Sequence, residues 1–137
     1  MALTAAETGH LVFSSLHTNS ASQTVNRIID AFPSDQQNQI RLQLANTISA
    51  VISQRLLPRI SGGRIPATEI MLANNAVSNL IRENKEYQLD LVIETSLENG
   101  MISLNRSLSE LVRRGEITAE TAMAYSLVPE EFQHSSK

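Results

Sequence analysis

The sequence predicts an α/β chain with few strands near its start and a mostly helical remainder. Three observations predict this. A short apolar run, Leu11-Val12-Phe13, lies between Gly9 and the polar stretch His17-Thr18-Asn19. Two strand-like segments, residues 51–60 and 65–72, flank a Gly62-Gly63 turn signal. Beyond Asn74 the apolar residues recur at helical spacing, punctuated by Gly100, Gly115 and Pro129.

In chain order, residues 2–8 read as the last turns of a helix stopped at Gly9, where glycine accepts a left-handed conformation. With little room for a helix start, the chain reads as beginning inside a larger protein; the alternative is a short but complete N-terminal helix. Residues 11–16 read as the first strand. Its consecutive apolar residues suit a strand covered on both faces. His10 and His17 flank it, and their odd separation would point them to opposite faces of a strand. His17 would then lie at the carboxyl end, where open α/β sheets place their ligand sites. The plainer reading makes both histidines hydrogen-bonded structural residues.

Thr18-Asn19-Ser20 can cap a helix whose stripe is Val25, Ile28, Ile29 and Phe32, with Pro33 ending it. Ser34 and Gln37 have capping-box spacing for the next helix. Its stripe runs through Ile40, Leu44 and Ile48 to Val51 and Ile52. The polar faces, with Arg27, Asp30, Gln39, Arg41 and Gln43, are either solvated or an interface. The two strands around Gly62-Gly63 form an antiparallel pair, and Pro66 assigns its strand to an edge or a strand start. Asn74 or Asn75 caps a helix over 76–83. Further helices are expected from about Glu86 to Gly100, from Ser103 to Gly115, and from Thr118 to Pro129, with Ile117 stapled onto Ala122. The tail after Glu130 is polar, and His134 in it is a poor site candidate.

Composition narrows the function. With 137 residues there is one domain or part of one. The net charge of −3 and a lysine complement limited to Lys85 and Lys137 argue against nucleic acid as a partner. Without cysteine there is no disulfide frame and no thiolate metal site. No apolar run approaches the roughly 18 residues of a spanning helix, so no membrane insertion is expected, and the start lacks a signal peptide's pattern. A cytoplasmic location is the default. Neither lysine follows a glycine, so no Gly-x-x-x-x-Gly-Lys phosphate loop exists in these residues. No His-Glu-x-x-His run or Ser-His-Asp order stands out, and no metal site is expected. Arg55, Arg59 and Arg64 flank the hairpin and belong either to an anion or acidic-partner site or, more simply, to a solvated surface.

Two segments carry a family resemblance. Leu3-Thr4-Ala5-Ala6-Glu7-Thr8-Gly9-His10-Leu11-Val12-Phe13, continuing to Leu16-His17-Thr18, is similar to the histidine box of the type IV pilus twitching-motility (retraction) ATPases, members of the secretion-ATPase family. Ala76-Val77-Ser78-Asn79-Leu80-Ile81-Arg82-Glu83 resembles their retraction motif, with Ser78 where arginine is usual. Val51-Ile52-Ser53-Gln54-Arg55-Leu56, Gly62-Gly63-Arg64, Glu69-Ile70-Met71 and Gly100-Met101-Ile102-Ser103-Leu104 extend the match. The chain thus resembles the C-terminal part of such proteins, up to about residue 132. The resemblance implies part of a RecA-like P-loop ATPase core over 1–73, a helical C-terminal subdomain over 74–132 and a polar tail over 133–137.

It also implies a hexameric motor at the cytoplasmic face of the inner membrane, working on a pilus platform protein with ATP and Mg²⁺. By analogy His17 faces the γ-phosphate and His10 supports it, while Ala76, Val77, Asn79, Leu80, Ile81, Arg82 and Glu83 form the retraction motif. The family's P-loop, acidic segments and catalytic glutamate have no counterpart in these residues, so this chain alone is not expected to bind nucleotide tightly or to hydrolyse it. The alternative is a stand-alone, non-catalytic module docking on pilus or secretion machinery.

Overall fold

Local side-chain capping sets most helix starts. In the computed structural model, which describes residues 2–130, four helices begin where a side-chain oxygen accepts the third helical N–H. Ser20 opens α2 (Ala21–Asp30), Asn74 opens α4 (Asn75–Arg82), Ser103 opens α6 (Leu104–Arg113) and Thr118 opens α7 (Ala119–Tyr125). Their acceptor distances run from 2.9 to 3.2 Å. The remaining helices are α1 (Ala2–Glu7), α3 (Gln37–Thr47) and α5 (Leu89–Glu94), the last flanked by single 3-10 turns at Glu86–Gln88 and Leu97–Asn99. The one long helix expected after Glu86 is therefore three short pieces. The Ser34–Gln37 capping box is absent: α3 starts at Gln37, whose side-chain amide donates to the Phe32 carbonyl at 3.0 Å.

The expected hairpin forms. Strands β1 (Ala50–Pro58) and β2 (Arg64–Leu72) pair antiparallel, with Ser53 opposite Glu69 and Leu57 opposite Ile65. Burial alternates along β2, so Ile65, Ala67, Glu69 and Met71 face inward. On its free edge, the Ile70 N–H donates to Ile102 at 2.9 Å and the Thr68 N–H to the Ser107 hydroxyl at 3.1 Å. Pro66 falls on that same edge by the period of two, where a missing N–H breaks no ladder bond.

The expected strand over residues 11–16 does not form: residues 10–18 carry no helix or strand. Leu11 and Phe13 are 83% and 88% exposed, so the apolar run is uncovered rather than sandwiched. A strand is a non-local element, and no described segment pairs with this one.

Two apolar clusters hold the rest. The first gathers Val25 and Ile29 of α2, Leu44 of α3, Val77 and Ile81 of α4, Leu89 and Ile93 of α5, with Met71 and Met101. The second packs Leu57 and Ala67 of the hairpin against Leu104, Leu108 and Leu111 of α6, then Ile117 and Ala122, the expected staple. The two clusters meet along the inner face of β2. Between Ala67 of one and Met71 of the other stands Glu69. The tail over 133–137, with His134, and residues 131–132 lie outside the described residues.

Candidate functional site

The histidine-bearing segment is anchored at both ends by backbone chemistry. At its start, Gly9 takes φ +96° and α1 closes in a Schellman motif. The His10 N–H reaches the Ala5 carbonyl at 3.1 Å and the Gly9 N–H reaches Ala6 at 3.2 Å. The His10 ring turns back onto the same helix end. Its Nδ1 lies 3.2 Å from the Ala5 carbonyl, which can only accept, so this contact is a hydrogen bond in the tautomer with the proton on Nδ1. The Thr8 hydroxyl lies 3.2 Å from the same nitrogen. This leaves Nε2 as the atom available to a further partner. His17 is exposed and makes no hydrogen bond among the described residues. No hydrogen bond joins it to His10.

Past His17 the chain is pinned to α2. The Thr18 and Thr24 hydroxyls lie 2.6 Å apart, and the Asn19 N–H donates to the Gln23 side-chain oxygen at 3.0 Å. Ser20 and Gln23 thus form a shifted capping box, a Ser-x-x-Gln spacing visible in the sequence but not singled out there. The first helical N–H, that of Ala21, donates 2.8 Å to Glu69 Oε1. Leu104, the first residue of α6, lines the same small cavity as Glu69. Burial pushes the Glu69 carboxyl above its ordinary range, the Ala21 bond opposes this, and nearby Asp90 pushes it further. Partial burial raises the Asp90 carboxyl, and Ser22 opposes this. Glu69, Asp90 and Glu94 line a small cavity of about 80 Å³ with Ser103, Leu104 and Leu127.

The second sequence-predicted site is α4. Its members split between two faces. Val77 and Ile81 are fully buried and Leu80 packs at the rim of the first cluster, whereas Ala76, Asn79, Arg82 and Glu83 are exposed. Ser78 is half-buried. Arg82 donates to Asn79 at 2.7 Å and to Asn46 of α3 at 2.9 Å. Asn84, at φ +61°, closes the helix with a second Schellman turn in which the Lys85 N–H meets the Leu80 carbonyl at 2.9 Å. Arg41 of α3 donates to the Ile81 carbonyl at 3.0 Å and pairs with Glu86, both side chains largely buried. Arg41 therefore serves an internal interface and is not solvated.

Of the hairpin arginines, Arg59 pairs with Glu116, and Arg55 reaches the Tyr125 carbonyl at 3.5 Å. These contacts tie β1 to the α7 side of the fold. Among the described residues no group of three or more His, Asp or Glu side chains is placed to hold a metal, and no helix is long and apolar enough to cross a membrane. The residues that sequence reasoning missed are Glu69, Arg41, Glu86 and Asn46. Glu69 alone left a local signal, a charge on an otherwise apolar period-two face.

The family described as Type II/IV secretion system protein matches residues 1–62. The chain also resembles part of the type IV pilus retraction ATPases. It is 46% identical over 132 residues to the type IV pilus retractation ATPase PilT of Pseudomonas aeruginosa, covering 96% of this chain and 38% of that protein. It is 50% identical over 123 residues to a twitching motility protein of Neisseria gonorrhoeae, covering 89% and 33%. The structure of the pilus retraction motor PilT with bound ADP superposes with a TM-score of 0.84 at 48% identity, over 97% of this chain and 37% of that one. The chain thus spans little more than a third of these relatives' length.

Proposed function

We propose that this chain forms the C-terminal part of a hexameric ATPase that drives type IV pilus retraction at the cytoplasmic face of the inner membrane. The carrying observation is that similarity to a retraction motor runs through both candidate segments, over 97% of the chain. In this reading residues 1–73 belong to the RecA-like core and 74–132 to a helical subdomain. His17 faces the nucleotide's γ-phosphate. His10, held at α1 by Nδ1, presents Nε2 toward the same site. Bound ATP with Mg²⁺ supplies the phosphoryl chemistry. The chain's own residues position charge and transmit movement. Exposed Leu11 and Phe13 fit a strand that completes a sheet supplied by the remainder of the core. The exposed face of α4, with Ala76, Asn79, Arg82 and Glu83, is turned outward for a partner, in this reading the pilus platform protein or a neighbouring subunit. Glycines and a lysine to cradle phosphates are supplied by other residues of the ATPase, so this chain alone does not turn over ATP.

The test is steady-state ATP hydrolysis by the full-length ATPase carrying His17→Ala. The expected result is a kcat reduced by about 10²-fold or more, the scale of one lost charge-stabilising group, with unfolding temperature unchanged. Normal turnover would make His17 structural. Turnover by residues 1–137 alone would overturn the division of the site.

A further inference from the structure

We infer that the outer face of α5, with the cavity beside it, is a docking surface for a basic amphipathic segment of a partner protein, one carrying arginine or lysine between apolar residues. Tyr87, Asp90, Leu91 and Glu94 stand at i, i+3, i+4 and i+7, so they share one face across the 3-10 turn and α5. Leu89 and Ile93 fill the first apolar cluster on the inward face. The core therefore already has its stripe from this segment, and the outer one is left over. Tyr87 is 73% and Leu91 64% exposed, two large apolar groups one turn apart. Single exposed apolar residues are ordinary; an aligned pair bounded by carboxylates is less so.

The chemistry of the flanks selects the occupant. Residues 86–105 hold Glu86, Asp90, Glu94 and Glu98 and no lysine or arginine. Those four acids exceed the chain's whole net charge of −3, so the remaining residues are close to neutral. Glu86 is spent on Arg41, whereas Asp90, Glu94 and Glu98 have no ion-pair partner among the described residues. Asp90 and Glu94 also line the cavity of about 80 Å³, which has room for several waters and so for a guanidinium or ammonium head. Leu127 and Val128, both exposed, form its far wall. That wall is fixed in advance: the Asn105 side chain donates to the Val128 carbonyl at 3.2 Å and accepts from the Ser126 hydroxyl. A long basic side chain can lay its methylenes on apolar surface while its head meets the carboxylates. An acidic or neutral partner would bury Asp90 and Glu94 without a countercharge. A face covered permanently by the protein's own chain would be poorer in charge, because charged residues are depleted from the core of lasting interfaces. The partner is therefore a separate and transient one, drawn by complementary charge. The inference concerns a face other than that of α4 and does not rest on the ATPase reading.

The experiment follows the fluorescence anisotropy of a labelled peptide of alternating leucine and arginine as the full-length protein is added, at about 0.15 M salt. Two control peptides carry glutamate for arginine or serine for leucine. We expect the leucine–arginine peptide to bind and neither control to match it. Asp90→Asn/Glu94→Gln and Leu91→Ser should each weaken binding about tenfold or more, the scale of two lost charge contacts and of one lost apolar contact, with circular dichroism unchanged. Glu120→Gln, which neutralises an exposed acid on α7, should leave binding as it is. Oxidative footprinting read by mass spectrometry should find Tyr87 and Leu91 accessible in the free full-length protein and protected once the peptide is bound. No binding, full affinity in both variants, equal binding of the serine peptide, or the same loss in Glu120→Gln would overturn the proposal. Tyr87 and Leu91 protected before any peptide is added would overturn it too, by showing the protein's own chain on this face.

Discussion

Arg41→Met is the most demanding single test of how α4 is held. Arg41 reaches from α3 to two targets, the Ile81 carbonyl in the last turn of α4 and the Glu86 carboxylate in the following 3-10 turn. The two side chains are 13% and 5% exposed. Methionine keeps much of the stem's volume and removes the charge. Glu86 is then left buried with no countercharge, and the Ile81 carbonyl loses a donor. Breaking one half of a buried pair costs about 3–5 kcal/mol. Unfolding entropy near 2.1 cal/mol/K per residue gives about 0.29 kcal/mol/K for 137 residues, so the unfolding temperature should drop by roughly 10–17 °C. Removing both charges in Arg41→Met/Glu86→Leu should return stability to within about 1 kcal/mol of the wild type, because the desolvation cost disappears with the pair. Urea unfolding followed by circular dichroism measures all three proteins. A loss below about 1 kcal/mol in the single variant, or no recovery in the double variant, would refute a buried, coupled pair.

Leu80→Lys should lower the unfolding temperature, because Leu80 packs on the rim of the first cluster; an unchanged thermal transition would show that face to be free. Gly100→Ala forces a side chain into φ +91° and brings its Cβ 3.2 Å from Leu72 Cδ1, so a loss of about 1–2 kcal/mol is expected in chemical denaturation, and none would contradict that conformation. Glu69 and Asp90 both hold their protons more tightly when folded than at their ordinary values of 4.5 and 3.8. Their titration therefore favours the fold fully below those values, and this stabilisation is lost as pH rises through the raised folded values. The stability difference between wild type and Glu69→Gln should accordingly shift toward the wild type as pH falls from about 7 to about 4, and a difference constant with pH would show Glu69 to be unperturbed.

What the sequence made legible was local. Ser20, Asn74, Ser103 and Thr118 each cap the helix they precede, because the donor lies three residues from the acceptor and needs no tertiary help. The hairpin was legible for the same reason: Gly62 and Gly63 both take positive φ, and Pro66 falls on an unpaired edge. The strand over 11–16 was misread because an apolar run becomes a strand only when another strand lies beside it. The helix after Glu86 was misread because a periodic stripe does not show where the backbone tightens into 3-10 turns. The roles given to the histidines and to the α4 motif came through resemblance. Arg41–Glu86 and Glu69–Ala21 join residues 45 and 48 positions apart and could not be read from spacing.

These long-range polar contacts share a geometry. The two apolar clusters divide along β2, α2 to α5 on one side and α6 with α7 on the other. Sliding one lobe against the other would leave most apolar burial within each cluster intact, so hydrophobic packing resists such movement weakly. What it would break is directional: the Ile70–Ile102 backbone pair and the Thr68 N–H to Ser107 hydroxyl bond that join β2 to the α6 side. Within the first lobe, Arg41–Glu86 and Arg82–Asn46 fasten α4 to α3 in the same directional way. Apolar burial therefore supplies the stability of each lobe, and hydrogen bonds supply the registration between elements.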